Sequence, residues 1–396
     1  MSLCVGVALG GDSVSAMVAG ADTLGATSHR VSVPAVLVIT PRGVAVGTQA
    51  EQFAASGVGA VFRDFTTRVG DPVPVVGSDG SARLGADLVA MTIGGILRGC
   101  AVGSTVGQLA IAHPSGWGPY EKSILYSALT CTEAEGVPTS LVSSPTAAVA
   151  AAVAAGMVSF SETVIVADIG GDGTEVALVT GAENPVGRVV ATSRTDDLGS
   201  AGLDRALARY VIEQVRGHVP AADLPNSAKR AVVADCRRAR EDLVQDTSTV
   251  VDVRLPERRV PVRVVRAEFE ALAREPIRAG LSVISHLIGR ARENGAEVDA
   301  IVLTGESARS PLIGEMMSAQ WPIRLVIPPS PEWATASGAA HIAARRSQPR
   351  LDAPLSSARP YVPNQPQPPK YLADRRLPPR GLKARAIPRH AMPALR

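Results

Sequence analysis

Short apolar runs alternate along this sequence with longer segments in which apolar residues recur every three to four positions. The runs are five to eight residues long and are bounded by Gly, Pro or charged residues, which is typical of buried β-strands. They cover residues 5–9, 32–39, 108–113, 163–168, 175–180, 249–255 and 300–304. The helical periodicity is clearest over residues 201–215 and 276–294. The alternation of the two patterns predicts a protein of the α/β class.

A six-residue motif occurs twice, 160 residues apart: VALGGD at 7–12 and ADIGGD at 167–172. In both copies an apolar strand runs into the GGD turn and then into a second alternating strand, which predicts two similar β-hairpins and a duplicated fold of two lobes. The backbone N–H groups of the two turns would then face each other across a cleft. Such opposed donors suit a polyphosphate, and only glycine lets the backbone approach that closely. For either copy alone, a plain hairpin turn is the alternative.

Proline and charge place a boundary near residue 349. Residues 349–396 hold eleven of the 30 prolines and ten Lys/Arg against Asp352 and Asp374, a local charge of +8 that leaves the rest of the chain at −5. Because such a segment buries little apolar surface, it is predicted to be a disordered tail. The acidic remainder argues against a nucleic-acid-binding protein, while the Pro- and Arg-rich tail suits docking to a protein partner.

Hydropathy and cysteine usage bear on the compartment. The most apolar stretch, residues 145–157, is short and Ala-rich, so it predicts a buried helix and no transmembrane segment. The N-terminus lacks the basic region of a signal peptide. Cys4, Cys100, Cys131 and Cys236 show neither C-x-x-C pairing nor zinc spacing to a His, so they are predicted to be buried reduced thiols. Together these features predict a cytoplasmic protein.

Seven motifs, in the right order between about Val5 and Ala344, resemble the nucleotide-binding domain of the DnaK-type, seventy-kilodalton heat-shock chaperones of the actin, hexokinase and chaperone ATPase superfamily. They are two phosphate loops at 6–11 and 168–176, a lysine-bearing segment at 62–71, a helix start at 144–148, a turn at 198–204, an adenosine loop at 302–311 and a closing helix at 331–340. The resemblance implies an α/β, two-lobed actin-like ATPase fold with duplicated mixed-sheet lobes around a cleft. Lobe I is expected over 1–166, lobe II over 167–348 with a closing helix that returns to lobe I, and the disordered basic proline-rich tail over 349–396.

The resemblance also implies a site for ATP or ADP with Mg²⁺. Carried over residue by residue, the nucleotide-binding positions are Gly10, Gly11, Asp168, Gly170, Gly171, Gly173, Thr174, Gly199, Arg240, Gly305, Ser307 and Arg309. Asp168 is the expected ligand of Mg²⁺, through water. Glu306 stands where the family's adenosine loop has a second glycine, and a carboxylate there is expected to block the base or repel phosphate.

The catalytic positions depart from the family. Members that hydrolyse ATP are understood to use an Asp on each phosphate hairpin for the metal, and a Lys and a Glu to orient water. Three of these four positions read Ala8, Thr66 and Ser144 here, which leaves Asp168 as the surviving catalytic candidate. Arg63 and Arg68 are candidates to replace the lysine.

Three functions follow from these residues. The first is a DnaK-like protein with a degenerate ATPase site that acts as a nucleotide-sensing or structural adaptor. The Ala/Val/Arg-rich composition, with four lysines against thirty-six arginines, resembles stand-alone actinobacterial chaperone-like proteins associated with type VII secretion, so a secretion-system component is an expected partner of the tail. The second is an active ATP-hydrolysing chaperone-like protein with a rearranged site. The third, a small-molecule kinase, needs a catalytic Asp in the first lobe, for which Asp64 is the candidate.

Overall fold

The N-terminal half of the chain builds a five-stranded mixed sheet, two smaller sheets and the helices that accompany them. The structure, a computed structural model, describes residues 2–20, 29–100, 104–181, 187–215, 225–255 and 258–347. The elements of this half, in chain order, are β1 (Ser2–Leu9), β2 (Ser13–Gly20), β3 (His29–Pro34), β4 (Val36–Thr40), β5 (Gly43–Val46), α1 (Gly47–Ala55), β6 (Ala60–Arg63), β7 (Val75–Val76), β8 (Ala82–Arg83), α2 (Gly85–Cys100), β9 (Thr105–His113), α3 (Pro119–Leu129), β10 (Thr139–Ser143) and α4 (Ser144–Ala154).

The C-terminal half builds a second five-stranded mixed sheet. Its elements, in chain order, are β11 (Val164–Ile169), β12 (Thr174–Thr180), β13 (Arg188–Thr195), α5 (Ser200–Gln214), α6 (Asn226–Asp242), β14 (Ser248–Arg254), β15 (Arg259–Val265), α7 (Arg266–Glu293), β16 (Ala300–Thr304), α8 (Pro311–Gln320), β17 (Arg324–Val326) and α9 (Ala334–Ser347).

Two sheets of the same connectivity form the centre of the fold. The N-terminal sheet has the order β10-β9-β1-β2-β3 and the C-terminal sheet the order β13-β12-β11-β16-β17. In each, the first strand pairs antiparallel with the next one along the chain and parallel with the strand that returns after a helical crossover. Both sheets therefore start from a hairpin that carries a GGD turn, and the mixed α/β class predicted from the sequence is confirmed.

Helix α9 packs on the N-terminal sheet and on α4. Its Gly338 lies so close to α4 that an added Cβ atom would come 1.7 Å from the carbonyl oxygen of Ala147. On the other side, a Cβ on Gly6 of β1 would come 2.1 Å from the backbone nitrogen of Ala340. Glycine at both contacts lets the helix reach strand and helix backbone directly, so α9 holds the start of the N-terminal sheet against α4.

Two predicted elements differ from the observed ones. The run 32–39 is divided into β3 and β4 at Ala35, whose N–H leaves the sheet to donate to the carbonyl of Asp12 at 2.7 Å. The helix predicted to begin at Pro276 begins ten residues earlier, at Arg266. Pro276, at which the predicted helical periodicity starts, therefore lies inside this helix, where its missing N–H removes one backbone hydrogen bond.

The remaining predictions at this level have mixed outcomes. Cys4 and Cys236 are buried, but Cys100 is only half-buried and Cys131 is exposed, so burial was wrong for these two. Within the described segments, no helix combines the length and apolar character needed to cross a bilayer. The described residues belong to one compact unit, and the predicted tail over 349–396 lies outside them.

Candidate functional site

The two GGD turns adopt the same backbone hydrogen bond. In the first turn the N–H of Gly10 donates to the carbonyl of Ser13 at 2.9 Å, and in the second the N–H of Gly170 donates to the carbonyl of Gly173 at 3.0 Å. Each turn thus begins at the end of the first strand of its sheet and leads directly into the second. The internal repeat in the sequence corresponds to a repeat of backbone geometry.

Each turn lies against the aspartate of the other. A Cβ atom on Gly11 would lie 2.7 Å from Asp172 Oδ2, and a Cβ atom on Gly171 would lie 2.8 Å from Asp12 Oδ2. Any side chain at either glycine would push these carboxylates away. The two turns therefore face each other, as the repeat predicts, but each presents a carboxylate to the backbone of its counterpart.

A cavity of about 200 Å³ opens beside the two turns and is called the phosphate cleft below. Six of the predicted nucleotide-binding residues line it: Gly10, Gly11, Asp168, Gly170, Gly171 and Gly305. Its charged lining is acidic, because Asp12, Asp168, Glu306 and Glu332 contribute carboxylates and no Lys or Arg of the described segments lines it. A polyphosphate entering the cleft would meet charges of its own sign.

Asp168 has a second carboxylate opposite it. The pairing of β11 with β12 sets Asp168 across from Glu175, and the pairing of β11 with β16 sets Thr304 beside it. Burial and the charge of Glu175 raise the pKa of Asp168 to about 6; the charge of Glu306 adds to this, whereas the Thr304 hydroxyl and Arg194 oppose it. Glu175 is not among the residues that the sequence predicts for the site. The available signal was hairpin register, since regular pairing around the second GGD turn brings Glu175 opposite Asp168.

The three replaced catalytic positions offer no charge at the cleft. Ala8 lines it as a methyl group. Thr66 is buried and its hydroxyl donates to the carbonyl of Gly11, so its segment does adjoin the first turn, as the resemblance implies. Ser144 is buried and its hydroxyl donates to the carbonyl of His113 at 2.9 Å. Both hydroxyls are therefore engaged with the protein's own backbone.

The candidates to replace the missing lysine lie elsewhere. Arg63 is exposed, and Arg68 pairs with Asp71 at 2.6 Å between Nε and Oδ2. Neither arginine lines the phosphate cleft, and the exposed Asp64, the candidate base of a kinase, does not line it either. The geometry thus supplies no substitute from this segment.

A second, smaller cavity lies behind the adenosine loop and contains Arg240 and Ser307. Its volume is about 30 Å³, against about 200 Å³ for the phosphate cleft. Arg240 Nε donates to the buried Asp204 at 2.6 Å. Arg240 Nη2 and Ser307 Oγ are both buried and have no hydrogen-bond partner within the described segments. The cavity therefore has unused polar capacity but little room.

Glu306 stands between the two cavities and lines both. Its carboxylate accepts a hydrogen bond from the Ser200 hydroxyl at 3.3 Å. One side of Glu306 remains open to solvent, yet partial burial of the carboxyl and the charge of Asp12 raise its pKa, against Arg237, Ser200 and Arg240, which lower it. The glycine expected here is thus replaced by a residue whose carboxylate side chain lines both cavities.

Arg309 forms an ion pair with Glu332. Its Nε and Nη2 donate to Glu332 Oε2 at 3.1 Å and Oε1 at 2.8 Å. This bidentate pair fixes the guanidinium geometry and neutralises its charge. Arg309 lines neither cavity.

Three further predicted residues lie behind the second turn. The Thr174 hydroxyl is buried and donates to the carbonyl of Leu198 at 2.7 Å. Gly199 is packed against the turn, since a Cβ atom on it would come 2.5 Å from the backbone nitrogen of Gly173. None of Gly173, Thr174 and Gly199 lines either cavity; their contacts support the turn from inside.

Comparison with known proteins decides the family. Residues 138–349, more than half of the chain, match the family described as Hsp70 protein. This chain belongs to the Hsp70 family. It is 27% identical over 350 residues to a chaperone protein HscA homolog of Shewanella loihica, an alignment that covers 79% of this chain and 53% of that protein.

Other Hsp70-family relatives align over shorter stretches. The chain is 32% identical over 179 residues to a chaperone protein HscA homolog of Methylibium petroleiphilum and 27% identical over 184 residues to a heat shock 70 kDa protein of Neurospora crassa. Each of these alignments covers 45% of this chain and 28% of the relative. The chain spans about half the length of the first of these curated relatives and a smaller share of the other two.

The residues present do not fit Mg²⁺-nucleotide in the way the Hsp70 resemblance implies. Phosphoryl transfer needs cations and metal ligands around the phosphates. The described lining of the phosphate cleft holds four carboxylates and no Lys or Arg, and the positions expected to carry an Asp, a Lys and a Glu are Ala8, Thr66 and Ser144. On the adenosine side, buried Arg240 Nη2 and Ser307 Oγ lack hydrogen-bond partners within the described segments, but the cavity that they line is small.

Proposed function

We propose that this Hsp70-family chain does not hydrolyse ATP and acts as an adaptor whose two sheets form a scaffold for a protein partner. One observation supports this most directly: the positions expected to carry a metal-holding Asp, a Lys and a water-orienting Glu are Ala8, Thr66 and Ser144. The last two donate their hydroxyl protons to backbone carbonyls. No charged group remains at these positions to hold metal or activate water.

Charge around the cleft supports a structural role over a nucleotide-sensing one. Four carboxylates line the phosphate cleft, and Arg309 is neutralised by Glu332. Binding ADP or ATP there would bring more negative charge into a partly dehydrated acidic space, where repulsion is stronger than in water. The unpaired atoms of Arg240 and Ser307 favour the nucleotide-sensing variant, with weak binding through the adenosine side.

An active ATPase is the second candidate, and one observation favours it. Asp168 and Glu175 face each other across a strand pair, so two carboxylates are available near the turns. A rearranged site would use this pair to hold Mg²⁺. It would still need a cation and a group to position water, which the described residues at the expected positions do not supply.

Single-turnover ATP hydrolysis separates these functions. We expect the native protein and Asp168→Ala to hydrolyse ATP at the same near-background rate, because loss of even one positioned proton-handling group typically costs about a hundredfold or more. The triple variant Ala8→Asp, Thr66→Lys, Ser144→Glu tests whether the fold accepts the family's groups. Native turnover equal to that of an active chaperone domain, abolished by Asp168→Ala, would refute the proposal.

Thermal unfolding with and without Mg-ATP tests binding separately. A ligand at a hundredfold excess over its Kd adds about 2.7 kcal/mol to the free energy of unfolding. We expect little or no shift for the native protein and a measurable one for Glu306→Gly, which removes a carboxylate from the lining of both cavities. Glu297→Gly, at an exposed loop position, is the control and should respond like the native protein. A large shift for the native protein would favour the nucleotide-sensing variant.

The partner is proposed to bind the basic proline-rich segment 349–396, which lies outside the described residues. Ten Lys/Arg there attract an acidic partner by a long-range, salt-sensitive force. A secretion-system component remains the proposed identity, and actinobacterial origin, a type VII secretion role and a cytoplasmic location all stay predictions.

A further inference from the structure

Glu175 connects the two sheets across the cleft. It lies on β12 of the C-terminal sheet and accepts the backbone N–H of Ser115, just after β9 of the N-terminal sheet, at 2.8 Å. The Ser115 hydroxyl donates to the same oxygen, Glu175 Oε1. A carboxylate that takes two donors forms strong, charge-assisted hydrogen bonds. The oxygen that could serve a metal beside Asp168 is instead engaged with the opposite sheet.

Arg237 connects the sheets at a second point. It projects from α6, and its Nη2 lies 3.9 Å from Asp12 Oδ2 in the first GGD turn. Its Nε lies 3.5 Å from Oδ2 of the buried Asp204, which anchors the guanidinium on the C-terminal side. Partial burial lowers the pKa of Arg237, but the charges of Asp204, Glu306 and Asp12 outweigh it and raise the pKa. Arg237 is therefore a cation that lies between the carboxylates of Asp12 and Asp204.

We propose that the Ser115–Glu175 and Asp12–Arg237 contacts form a latch, the cleft latch, that keeps the two sheets together without nucleotide. In this arrangement the protein's own side chains join the N-terminal half to the C-terminal half at two separate points. The inference rests on the proposed adaptor function and deepens it, because two sheets held at a fixed spacing would present one fixed surface to a partner.

The two halves of the latch differ in their response to salt. Ser115–Glu175 consists of two partly buried hydrogen bonds, which salt screens weakly. The side chains of Asp12 and Arg237 are 39% and 48% exposed, so their attraction is screened and small by itself. Raising the ionic strength should loosen the Asp12–Arg237 side and leave the Ser115–Glu175 side in place.

Amide hydrogen exchange at Ser115 reports on the latch directly. In the native protein without nucleotide we expect Ser115 to be protected, and saturating Mg-ATP to leave its exchange rate unchanged. Glu175→Ala should speed exchange at Ser115 about tenfold or more, because a hydrogen bond to a charged group is worth about 1.5–3 kcal/mol. Glu175→Gln keeps an acceptor oxygen and should retain most of the protection.

The second contact is tested at the first GGD turn. Arg237→Gln should speed exchange of the amides of residues 10–13 at low salt, and the difference from native should shrink at high salt. Arg238→Gln is the matched control: it neighbours Arg237 on α6, is exposed and pairs with Asp235 of the same helix. It should leave exchange at both reporter sites at the native rate.

Two results would overturn the latch: native Ser115 exchanging as fast without nucleotide as in Glu175→Ala, or Mg-ATP slowing that exchange. Both are independent of hydrolysis. If Ser115 is protected in a protein that turns over ATP, the adaptor proposal alone is refuted. If Ser115 exchanges rapidly in a protein without turnover, the latch alone is refuted.

Discussion

Replacing Asp204 with alanine should cost this protein a large part of its stability. The Asp204 side chain is 1% exposed and accepts a hydrogen bond from Arg240 Nε at 2.6 Å. The Arg240 side chain is itself 8% exposed, and its next carboxylate, on Glu241, is 3.9 Å away and largely in solvent. Removing Asp204 would leave a buried guanidinium without its counter-charge, a change that typically costs about 3–5 kcal/mol. The whole free energy of unfolding of a protein domain is only about 5–15 kcal/mol.

Urea unfolding followed by circular dichroism measures this loss. Glu275→Ala is the control, because Glu275 and Arg278 form a pair with side chains 78% and 64% exposed, and such pairs contribute about 0–1 kcal/mol. The double variant Asp204→Leu, Arg240→Leu should recover part of the loss, since an apolar replacement of a buried ion pair is often neutral. A loss of less than about 1 kcal/mol in the free energy of unfolding of Asp204→Ala, as expected for the control, would show that Arg240 does not depend on Asp204 for its counter-charge.

Three further outcomes follow from other parts of the molecule. Gly338→Ala should lower the unfolding midpoint strongly, because its methyl group would overlap the backbone of α4, whereas Gly289→Ala, in α7 with no atom within 4 Å of the added Cβ, should raise stability by about 0.5–1 kcal/mol. Above pH 6, the free energy of unfolding of Asp168→Asn should exceed that of the native protein, by about 3 kcal/mol at most. The raised pKa of Asp168 makes its ionisation unfavourable in the fold, so this advantage should vanish as pH falls from about 6 to below 3.8. Truncation after Ser347 should leave the melting temperature nearly unchanged and weaken partner capture at low salt, and a truncated protein that unfolds would show that 349–396 belongs to the fold.

Local signals in the sequence predicted much of the fold but less of the site. The apolar runs and the repeated GGD turns predicted the two hairpins, because strand periodicity and glycine turns depend on neighbouring residues. Glu175 was missed even though it lies on one of those hairpins, because its role depends on which residue of β11 it faces. Thr174 was expected at the nucleotide, but the same pairing turns its hydroxyl inward to Leu198.

By itself, the sequence determined the α/β class, the internal duplication and the loss of three catalytic residue types at Ala8, Thr66 and Ser144. Each of these features depends only on the types of the residues and on their spacing along the chain. Only the tertiary structure decided that Glu175 is tied to Ser115 and that Arg237 spans the cleft to Asp12. Those partners are 60 and more than 200 residues apart, and charges at such separation meet only when the packing of both sheets brings them within a few ångströms, where Coulomb attraction and hydrogen bonding become strong enough to matter.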